Sequence, residues 1–263
     1  MQAFLNTAVQ AARRAGDIAV RALSRLDQLE IRAKARNEYV TQVDQAAEQA
    51  IIETLRKRYP DHAILAEESG ESGQHDFTWI IDPLDGTTNF VHGFPTFSVS
   101  IALRRQDALE VGVVYDPCRQ ELFTAMRGRG AQLDGKRIRV SERKELEGAL
   151  IGTGFPFRSN TRWMKTYLAM LGSVMETTAG VRRPGSAALD LSYVAAGRLD
   201  GFFEFGLEIW DIAAGSLMIQ EAGGIVTGLT GGSHLASGDV LAGNPKVHEA
   251  LRALLGPHLN AAG

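Results

Sequence analysis

The chain has 263 residues, of which 44% are apolar, enough for one large domain or two joined halves around an extensive core. Its formal charge of -3 at pH 7 excludes the strongly basic surface of a domain that binds nucleic acid tightly, although local basic patches are compatible with it. The single cysteine, Cys118, excludes an internal disulfide framework, which fits a protein from a reducing compartment.

The first 26 residues lack the uninterrupted apolar stretch that a signal peptide requires. Polar and charged residues recur through them: Asn6, Gln10, Arg13, Arg14 and Asp17. Elsewhere in the sequence, no apolar run is long enough to span a bilayer. We therefore expect a cytoplasmic protein with no membrane partner.

Two helices are predicted at the start of the chain. In residues 4–26 the apolar positions recur every three or four residues, which is typical of an amphipathic helix. A second helix is predicted to begin around residues 41–44 and to run to Tyr59, where Pro60 breaks it. Short β-rich segments follow, predicted as strands over residues 64–66, 77–81, 96–103, 109–115, 121–126 and 131–140. In the last of these, Asp134-Gly135 predicts a tight hairpin turn.

After Leu146 the pattern changes to alternating helices and strands, which is typical of an α/β arrangement. The helices are predicted near residues 161–177, 187–196, 211–222 and 245–255. The strands are predicted near residues 149–153, 201–204, 225–227 and 240–242. We therefore predict a soft division into residues 1–143, a helix pair with an antiparallel sheet, and residues 144–263, an α/β half. Because no Ser/Pro-rich linker separates them, we expect a single compact unit.

The most informative segment is residues 82–89, with the sequence Asp-Pro-Leu-Asp-Gly-Thr-Thr-Asn, directly after the apolar residues 79–81. Because Pro83 fixes its own φ and Gly86 permits a sharp turn, the two aspartates can converge where a strand ends. Converging carboxylates attract a hard cation, and a helix that opens at Gly-Thr-Thr would favour an anion at the same point. The alternative is an ordinary turn, since Asp, Pro, Gly and Asn are common turn residues.

Two further acidic segments favour a functional site over a turn. Glu67-Glu68-Ser69 follows a short apolar strand, and Trp210-Asp211 opens an apolar helix. Together with residues 82–89, they are three separate acidic elements that require one common explanation.

These segments, in this order and spacing, resemble the inositol monophosphatase family over almost the whole chain, and most closely its bacterial inositol-1-monophosphatases. The resemblance is carried by Glu67-Glu68-Ser69, residues 82–89, Gly185-Ser186-Ala187-Ala188, Trp210-Asp211 and residues 154–157, 194–198 and 221–224. It implies an α+β fold, a layered αβαβα sandwich of the inositol monophosphatase and fructose-bisphosphatase type, with the active cleft between the halves. It also implies a homodimer, and it places residues 34–37 where relatives have a mobile loop near the site.

The same resemblance implies a Mg²⁺ site with ligands from Glu67, Asp82, the backbone carbonyl of Leu84, Asp85 and Asp211. Mg²⁺ prefers octahedral oxygen ligands and keeps several waters, so a few carboxylates and a substrate phosphate complete its shell. Either Glu67 or its neighbour Glu68 could face the metal, and the family pattern favours Glu67. Asp211 could instead be a plain helix N-cap.

For catalysis, the resemblance implies that Asp44, Thr87 and Glu67 position and deprotonate the attacking water, without a covalent intermediate. Gly86 and Thr87 would bind the phosphate through their backbone amides. Asp44 could also simply cap the second helix, and both roles are compatible.

Recognition of the alcohol is expected in the second half of the chain. By the resemblance, Gly185, Ser186 and Glu204 contact the hydroxyl groups of inositol. The full set of predicted substrate-binding residues is Asp85, Gly86, Thr87, Gly185, Ser186, Glu204 and Asp211. Glu204 could instead be an exposed charge at a strand end, and Ser186 could only cap the following helix.

The predicted function is Mg²⁺-dependent hydrolysis of myo-inositol 1-phosphate and related polyol phosphates, with inhibition by Li⁺ as the resemblance implies. Related enzymes act on histidinol phosphate, fructose bisphosphate or 3′-phosphoadenosine 5′-phosphate, and these remain alternatives. A different class is a regulatory protein of the transcription antitermination type, which contacts the transcription machinery or RNA and has secondary phosphatase activity. Its support in the sequence is limited to Arg182-Arg183 and Arg127-Gly128-Arg129, which ordinary solvated charge explains more simply.

Overall fold

The computed structural model describes residues 1–28, 31–35, 38–156 and 161–260 of the chain. The first part contains α1 (Gln2–Leu23), β1 (Ile31–Ala35), β2 (Glu38–Thr41), α2 (Gln42–Arg56), β3 (Ala63–Ala66), β4 (Gly70–Ser72), β5 (Phe77–Asp85), α3 (Thr87–Val91), β6 (Ser98–Arg105), β7 (Ala108–Asp116), β8 (Glu121–Met126), β9 (Gly130–Leu133) and β10 (Lys136–Arg137). The second part contains β11 (Leu150–Thr153), α4 (Met164–Thr177), β12 (Gly180–Arg182), α5 (Ala187–Ala195), β13 (Gly201–Glu204), α6 (Ile209–Glu221), β14 (Ile225–Thr227), α7 (His234–Ser237), β15 (Val240–Gly243) and α8 (Pro245–Asn260).

The larger sheet has the strand order β10-β9-β8-β7-β6-β5-β3-β4. Its neighbours pair antiparallel except for β3 and β5, which are parallel. This pair departs from the predicted antiparallel order because the chain first turns back at Gly70 into β4, on the outer side of β3, before β5 begins on the inner side. The prediction of a hairpin at Asp134-Gly135 is confirmed, since both residues have positive φ (49° and 77°) between the paired strands β9 and β10.

The smaller sheet has the order β12-β11-β13-β15-β14. Strand β11 is parallel to β12 and β13, whereas β15 is antiparallel to β13 and β14. The two strands that lie parallel to β11 come from separate segments of the chain, because parallel neighbours cannot be joined by a tight hairpin. This is typical of the alternating pattern predicted after Leu146.

The helices form three layers around the two sheets. Helices α1 and α2 cover one face of the larger sheet, α5 and α6 pack between the sheets, and α4 and α8 cover the outer face of the smaller sheet. The predicted α+β fold with an αβαβα layer order is therefore confirmed.

Both faces of the larger sheet are covered, and the side chains of β5 show the alternation that this requires. Trp79 and Ile81 pack in the cluster with α1 and α2, whereas Ile80 packs in the cluster with α5 and α6. A strand buried on both faces reads as a continuous apolar run, as residues 79–81 do. The smaller sheet shows the same alternation at Phe202 and Phe203.

Several short elements were not predicted from the sequence, among them the antiparallel hairpin of β1 and β2. The segment of residues 34–37, expected in a mobile loop, contributes residues 34 and 35 to β1, while Arg36 and Asn37 lie outside the described residues. Among the described residues, no helix combines the length and the apolar character needed to cross a membrane.

Candidate functional site

Strand β5 contains a bulge that directs two carboxylates to the same place. Asp82 lies opposite Ser100 of β6 and Asp85 lies opposite Ser98, so three steps along β5 match two steps along β6. Because side chains alternate along a strand, residues three positions apart would otherwise point to opposite faces, and the extra residue restores a common side. The strand therefore continues through Asp85, four residues beyond the predicted end at residue 81.

A third carboxylate joins these two from the distant helix α6. Asp82, Asp85 and Asp211 are all buried, and one carboxylate oxygen from each lies within 4.8 Å of the others. Asp211 lies in the first turn of α6, where its Oδ2 accepts a hydrogen bond of 2.8 Å from the amide of Glu208. The alternative that Asp211 is itself the N-cap is not what the structure shows, because Glu208 occupies that position. Asp211 therefore satisfies the helix terminus and still contributes to the acidic group.

The residues of this group fit a small divalent cation. Opposite ligands around Mg²⁺ lie about 4.2 Å apart, so oxygens within 4.8 Å of one another can surround one ion with little adjustment. Burial raises the pKa of Asp82 well above its ordinary value, and repulsion from Glu67, Asp85 and Asp211 raises it further. A cation would relieve both effects. An all-oxygen donor set favours a hard ion such as Mg²⁺ over softer metals.

The acidic group lines a cavity of about 690 Å³ formed by loops and element ends from both parts of the chain. Among the described residues around it, seven carry carboxylates and one, Arg183, is basic. The carboxylates belong to Glu67, Asp82, Asp85, Asp190, Glu204, Glu208 and Asp211. This imbalance would repel an anionic ligand unless cations neutralise it.

Glu67 and its neighbour Glu68 have separate surroundings. Glu67 lines the cavity but is not one of the three residues that converge within 4.8 Å. The backbone amide of Glu68 instead donates a hydrogen bond of 2.8 Å to Glu48 of α2, and Glu68 borders a separate groove lined mainly by residues of that helix. Of the two candidates, Glu67 is the one that faces the site.

Asp44 is fully buried, and its two carboxylate oxygens contact different residues. Its Oδ2 accepts hydrogen bonds from the amide (2.8 Å) and hydroxyl (2.7 Å) of Thr41, which caps α2. Its Oδ1 accepts a hydrogen bond of 3.1 Å from the hydroxyl of Thr87, which also lies 3.1 Å from the carbonyl oxygen of Leu84. The capping role and the contact with Thr87 therefore coexist. Burial, and secondarily repulsion from Glu67, raise the pKa of Asp44 above its ordinary value, while its hydrogen bonds oppose this.

The backbone of Gly86 lies very close to the loop at Gly185. Gly86 has a φ of 101°, and a Cβ there would lie 3.0 Å from the carbonyl oxygen of Thr96 and 3.2 Å from that of Gly185. Asn89 fixes this approach, because its Nδ2 donates hydrogen bonds of 2.7 Å to the carbonyl oxygens of Thr96 and Pro184. The final residue of the segment 82–89 thus joins the two halves of the site, a role that its sequence did not reveal.

Ser186 both caps a helix and contacts a metal-ligand candidate. It is the N-cap of α5, and its hydroxyl donates a hydrogen bond of 2.6 Å to Oδ2 of Asp85. The amide of Ala188 donates a second bond of 2.8 Å to the same oxygen. The first turn of α5 therefore fixes the orientation of Asp85 through its Oδ2.

Glu204 lies at the end of β13 and lines the cavity half-buried, rather than as a fully exposed strand-end charge. It lies against Gly154, where any Cβ would overlap its carboxylate. Residues 155 and 156 continue the same wall, while Phe157 of the segment 154–157 lies outside the described residues.

Two cavity residues were missed from the sequence. Asp190 is buried in α5 and lines the cavity, and the only available signal was an acidic residue inside a mostly apolar helix. Arg183 places its guanidinium carbon 4.9 Å from the ring centre of Phe155. In the sequence it had appeared only as part of a solvated basic pair.

Comparison with known proteins agrees with this architecture. The model of the inositol monophosphatase family matches residues 1–259. The chain is 56% identical to the Nus factor SuhB of Pseudomonas aeruginosa, with 98% of both chains covered. Its structure matches that of the extragenic suppressor protein suhB from Bartonella henselae with a TM-score of 0.93 at 46% identity, covering 96% and 98% of the two chains. It matches the inositol monophosphatase from Anabaena (Nostoc) sp. PCC 7120 with a TM-score of 0.86 at 39% identity, covering 99% and 98%.

The five-layer fold and the buried acidic site define a phosphatase with a group of carboxylates that can hold a metal ion. The chain belongs to the inositol monophosphatase family, and the family predicted from its sequence is thereby confirmed.

Proposed function

We propose that the protein is a Mg²⁺-dependent phosphomonoesterase that hydrolyses myo-inositol 1-phosphate and related polyol phosphates and is inhibited by Li⁺. The observation that supports this most directly is the convergence of Asp82, Asp85 and Asp211 within 4.8 Å on the wall of a cavity that also contains Thr87. The cavity, at about 690 Å³, is large enough for a sugar-sized phosphate ester.

In this proposal Glu67, Asp82, Asp85, Asp211 and the carbonyl of Leu84 hold the metal. When bound, Mg²⁺ supplies positive charge to the phosphate oxygens and lowers the pKa of water. The hydrogen bonds from Ser186 and Ala188 keep Asp85 oriented before any ligand arrives, so little reorganisation is needed.

The residues around Thr87 orient the attacking water and remove its proton. The hydroxyl of Thr87 donates toward Asp44, which leaves its oxygen able to accept a hydrogen bond from water. Glu67 faces the cavity and takes the proton in general-base catalysis, and this proton is returned to the departing alkoxide, so that the products are phosphate and the free alcohol. The amides of Gly86 and Thr87 bind the phosphate, while Gly185, Ser186 and Glu204 contact the alcohol.

The test is to measure phosphate release from a panel of inositol, sugar, nucleotide and histidinol phosphates while Mg²⁺ is titrated. We expect turnover only with Mg²⁺ and the highest kcat/KM with inositol phosphate. Asp85→Asn should remain folded and lose at least about 1000-fold in kcat, since it removes a ligand charge. Glu204→Gln should weaken the use of inositol phosphate more than that of an aryl phosphate.

A matched control is Asp116→Asn. Asp116 is a fully buried aspartate on β7, outside the cavity, and it accepts hydrogen bonds from Cys118 and Arg119. This variant should lose stability and keep its turnover per folded molecule. Near-normal turnover by a folded Asp85→Asn protein would contradict the assignment of that ligand.

A second function is favoured by the similarity to proteins named Nus factor SuhB. We propose that the protein also acts as a Nus factor, through contact with the transcription machinery. Pull-down of RNA polymerase components should then succeed equally with the wild type and with Asp85→Asn, because the contact does not need turnover. Failure to recover any component with either protein would count against this role. The predicted homodimer can be measured in the same preparations by sedimentation velocity.

A further inference from the structure

Asp190 is a buried carboxylate beside the cavity that the proposed chemistry does not use. Its side chain is 1% exposed, and it lines the cavity from the first turn of α5. Among the described residues, none provides a hydrogen-bond partner for its Oδ1. Buried polar atoms in folded proteins nearly always have a partner, so an unsatisfied carboxylate oxygen at a ligand cavity indicates that a ligand supplies it.

Two glycines of one strand make room for this carboxylate and for a second one. Gly152 and Gly154 lie two positions apart on or just after β11, and therefore on the same face. A Cβ at Gly154 would overlap the carboxylate of Glu204, and a Cβ at Gly152 would lie 3.7 Å from Oδ1 of Asp190. Asp190 and Glu204 therefore lie next to each other along this face.

The charges around Asp190 agree with this placement. Burial raises the pKa of Asp190 well above its ordinary value, repulsion from Glu204 and then Asp85 raises it further, and Arg183 opposes the shift. Asp190 is thus close enough to interact with both Asp85 and Glu204, and Glu204 is the residue expected to contact the alcohol.

We propose that Asp190 and Glu204 together accept hydrogen bonds from the hydroxyl groups of a cyclic polyol phosphate, so that Asp190 determines specificity for the alcohol. This inference rests on the proposed phosphatase function. A hydroxyl of the substrate satisfies the buried oxygen, whereas an alcohol without hydroxyls leaves it unsatisfied and is rejected. Satisfying a buried carboxyl oxygen that would otherwise have no partner corresponds to roughly 10- to 100-fold in kcat/KM.

The test compares myo-inositol 1-phosphate with cyclohexyl phosphate, which has the same ring size and no ring hydroxyls. For the wild type, Asp190→Asn and Asp190→Ala, kcat and KM are measured with both esters at saturating Mg²⁺. The ratio of kcat/KM for the two esters should fall about 10-fold or more in Asp190→Ala, mainly through KM for the inositol ester. Asp190→Asn keeps one acceptor oxygen and should fall between the wild type and Asp190→Ala. Asp116→Asn is the control, and its ratio should stay within about twofold of the wild type.

Binding provides a second readout that does not need turnover. Calorimetry should show that the wild type prefers the inositol ester to cyclohexyl phosphate and that Asp190→Ala loses this preference. An unchanged preference in both variants, or an equal loss for both esters, would overturn the inference and assign Asp190 a structural role. A wild type that binds the inositol ester in preference to cyclohexyl phosphate, with this preference lost in Asp190→Ala, but that hydrolyses neither ester would instead contradict the proposed phosphatase function and leave the specificity role supported.

Discussion

The hydroxyl of Thr87 has two acceptors within 3.1 Å, Asp44 and the carbonyl of Leu84, which fix its position beside the acidic group. A serine can make the same bonds, whereas a valine has the same shape as threonine and cannot. The residue therefore offers a clean separation between packing and hydrogen bonding.

We expect Thr87→Val to lower kcat by about 100-fold or more, because the attacking water loses its orienting partner. Thr87→Ser should stay within several-fold of the wild type. The measurement is steady-state phosphate release at saturating Mg²⁺, with the melting temperature as the check on folding. Equal activity of the valine and serine variants would contradict a role for the hydroxyl.

Gly86 has a left-handed backbone conformation and also lies close to neighbouring backbone atoms. Gly223 has the same type of backbone conformation without the close neighbours, so it is a control for the effect of the conformation alone. Both have positive φ (101° and 92°), but a Cβ at Gly223 would meet nothing within 4 Å. Gly223→Ala should lower the free energy of unfolding by about 1–2 kcal/mol, the cost of the backbone conformation alone. Gly86→Ala should lower the free energy of unfolding by about 1 kcal/mol more than Gly223→Ala does, because Thr96 and Gly185 must move.

Urea denaturation of the two variants measures this difference. Gly86→Ala should also lose phosphatase activity, whereas Gly223→Ala should retain it. If the two substitutions prove equal in both respects, the close approach of the loops at Gly86 and Gly185 has no importance for the site.

At the scale of elements, a buried histidine of α7 is hydrogen-bonded to α6. His234 is 7% exposed, and its Nε2 lies 2.9 Å from the hydroxyl of Ser216. Burial lowers the pKa of His234 to about 4 from its ordinary value of 6.5. The folded protein therefore keeps this ring neutral at a pH where the unfolded chain protonates it.

The sign of the pH effect follows from these two values. Above about pH 6.5 neither state binds the proton and the stability is complete, and as the pH falls toward 4 the unfolded state gains protons first. Between pH 7 and pH 5 this group should lower the free energy of unfolding by about 2 kcal/mol. His234→Gln, which cannot titrate, should show a correspondingly smaller decrease in urea denaturation at the two pH values. Identical decreases in both proteins would show that His234 protonates freely in the folded state.

The main helices and strands could be predicted from the sequence because their apolar spacing is local. The bulge in β5 could not be predicted, because it depends on the register against β6. The sequence therefore predicts a strand that ends at residue 81. The hairpin of β1 and β2 and the short elements β4, β12 and α7 contain too few residues for a periodic signal.

The same limit applies to the candidate site. Asp82, Asp85 and Asp211 were predicted through the family resemblance, and the structure brings them together. The contacts of Asn89 and Asp190 were not predicted, because each depends on a partner about 40 to 95 residues away in sequence. Sequence patterns identify such residues by type but give no indication of what they touch.

At the scale of the whole molecule, the buried acidic group makes stability depend on metal. The raised pKa of Asp82 means that its ionised form is costly in the folded state, so the metal-free protein should lose stability as the pH rises above about 3.8 through the folded value. Mg²⁺ should raise the melting temperature, with a gain of about 2.7 kcal/mol at 100 times its Kd.

Asp82→Asn tests this dependence. The metal-free variant should melt at the same temperature as the wild type or higher, since one of the mutually repelling charges is gone, and the increase caused by Mg²⁺ should shrink. Asp116→Asn should melt lower and keep the full increase. Differential scanning calorimetry with chelator and with Mg²⁺ measures both. A full Mg²⁺ response in Asp82→Asn would place the ion elsewhere.

The helices α5 and α6 share one apolar cluster with both sheets, including Ile80 and Ala102 on one side and Phe202 and Ala242 on the other. Swinging the sheets apart would expose this interior to water, a penalty far above thermal energy for so many side chains. In the proposed phosphatase cycle, substrate entry and product release would therefore take place without a clamshell separation of the two sheets of the kind that hinged enzymes use.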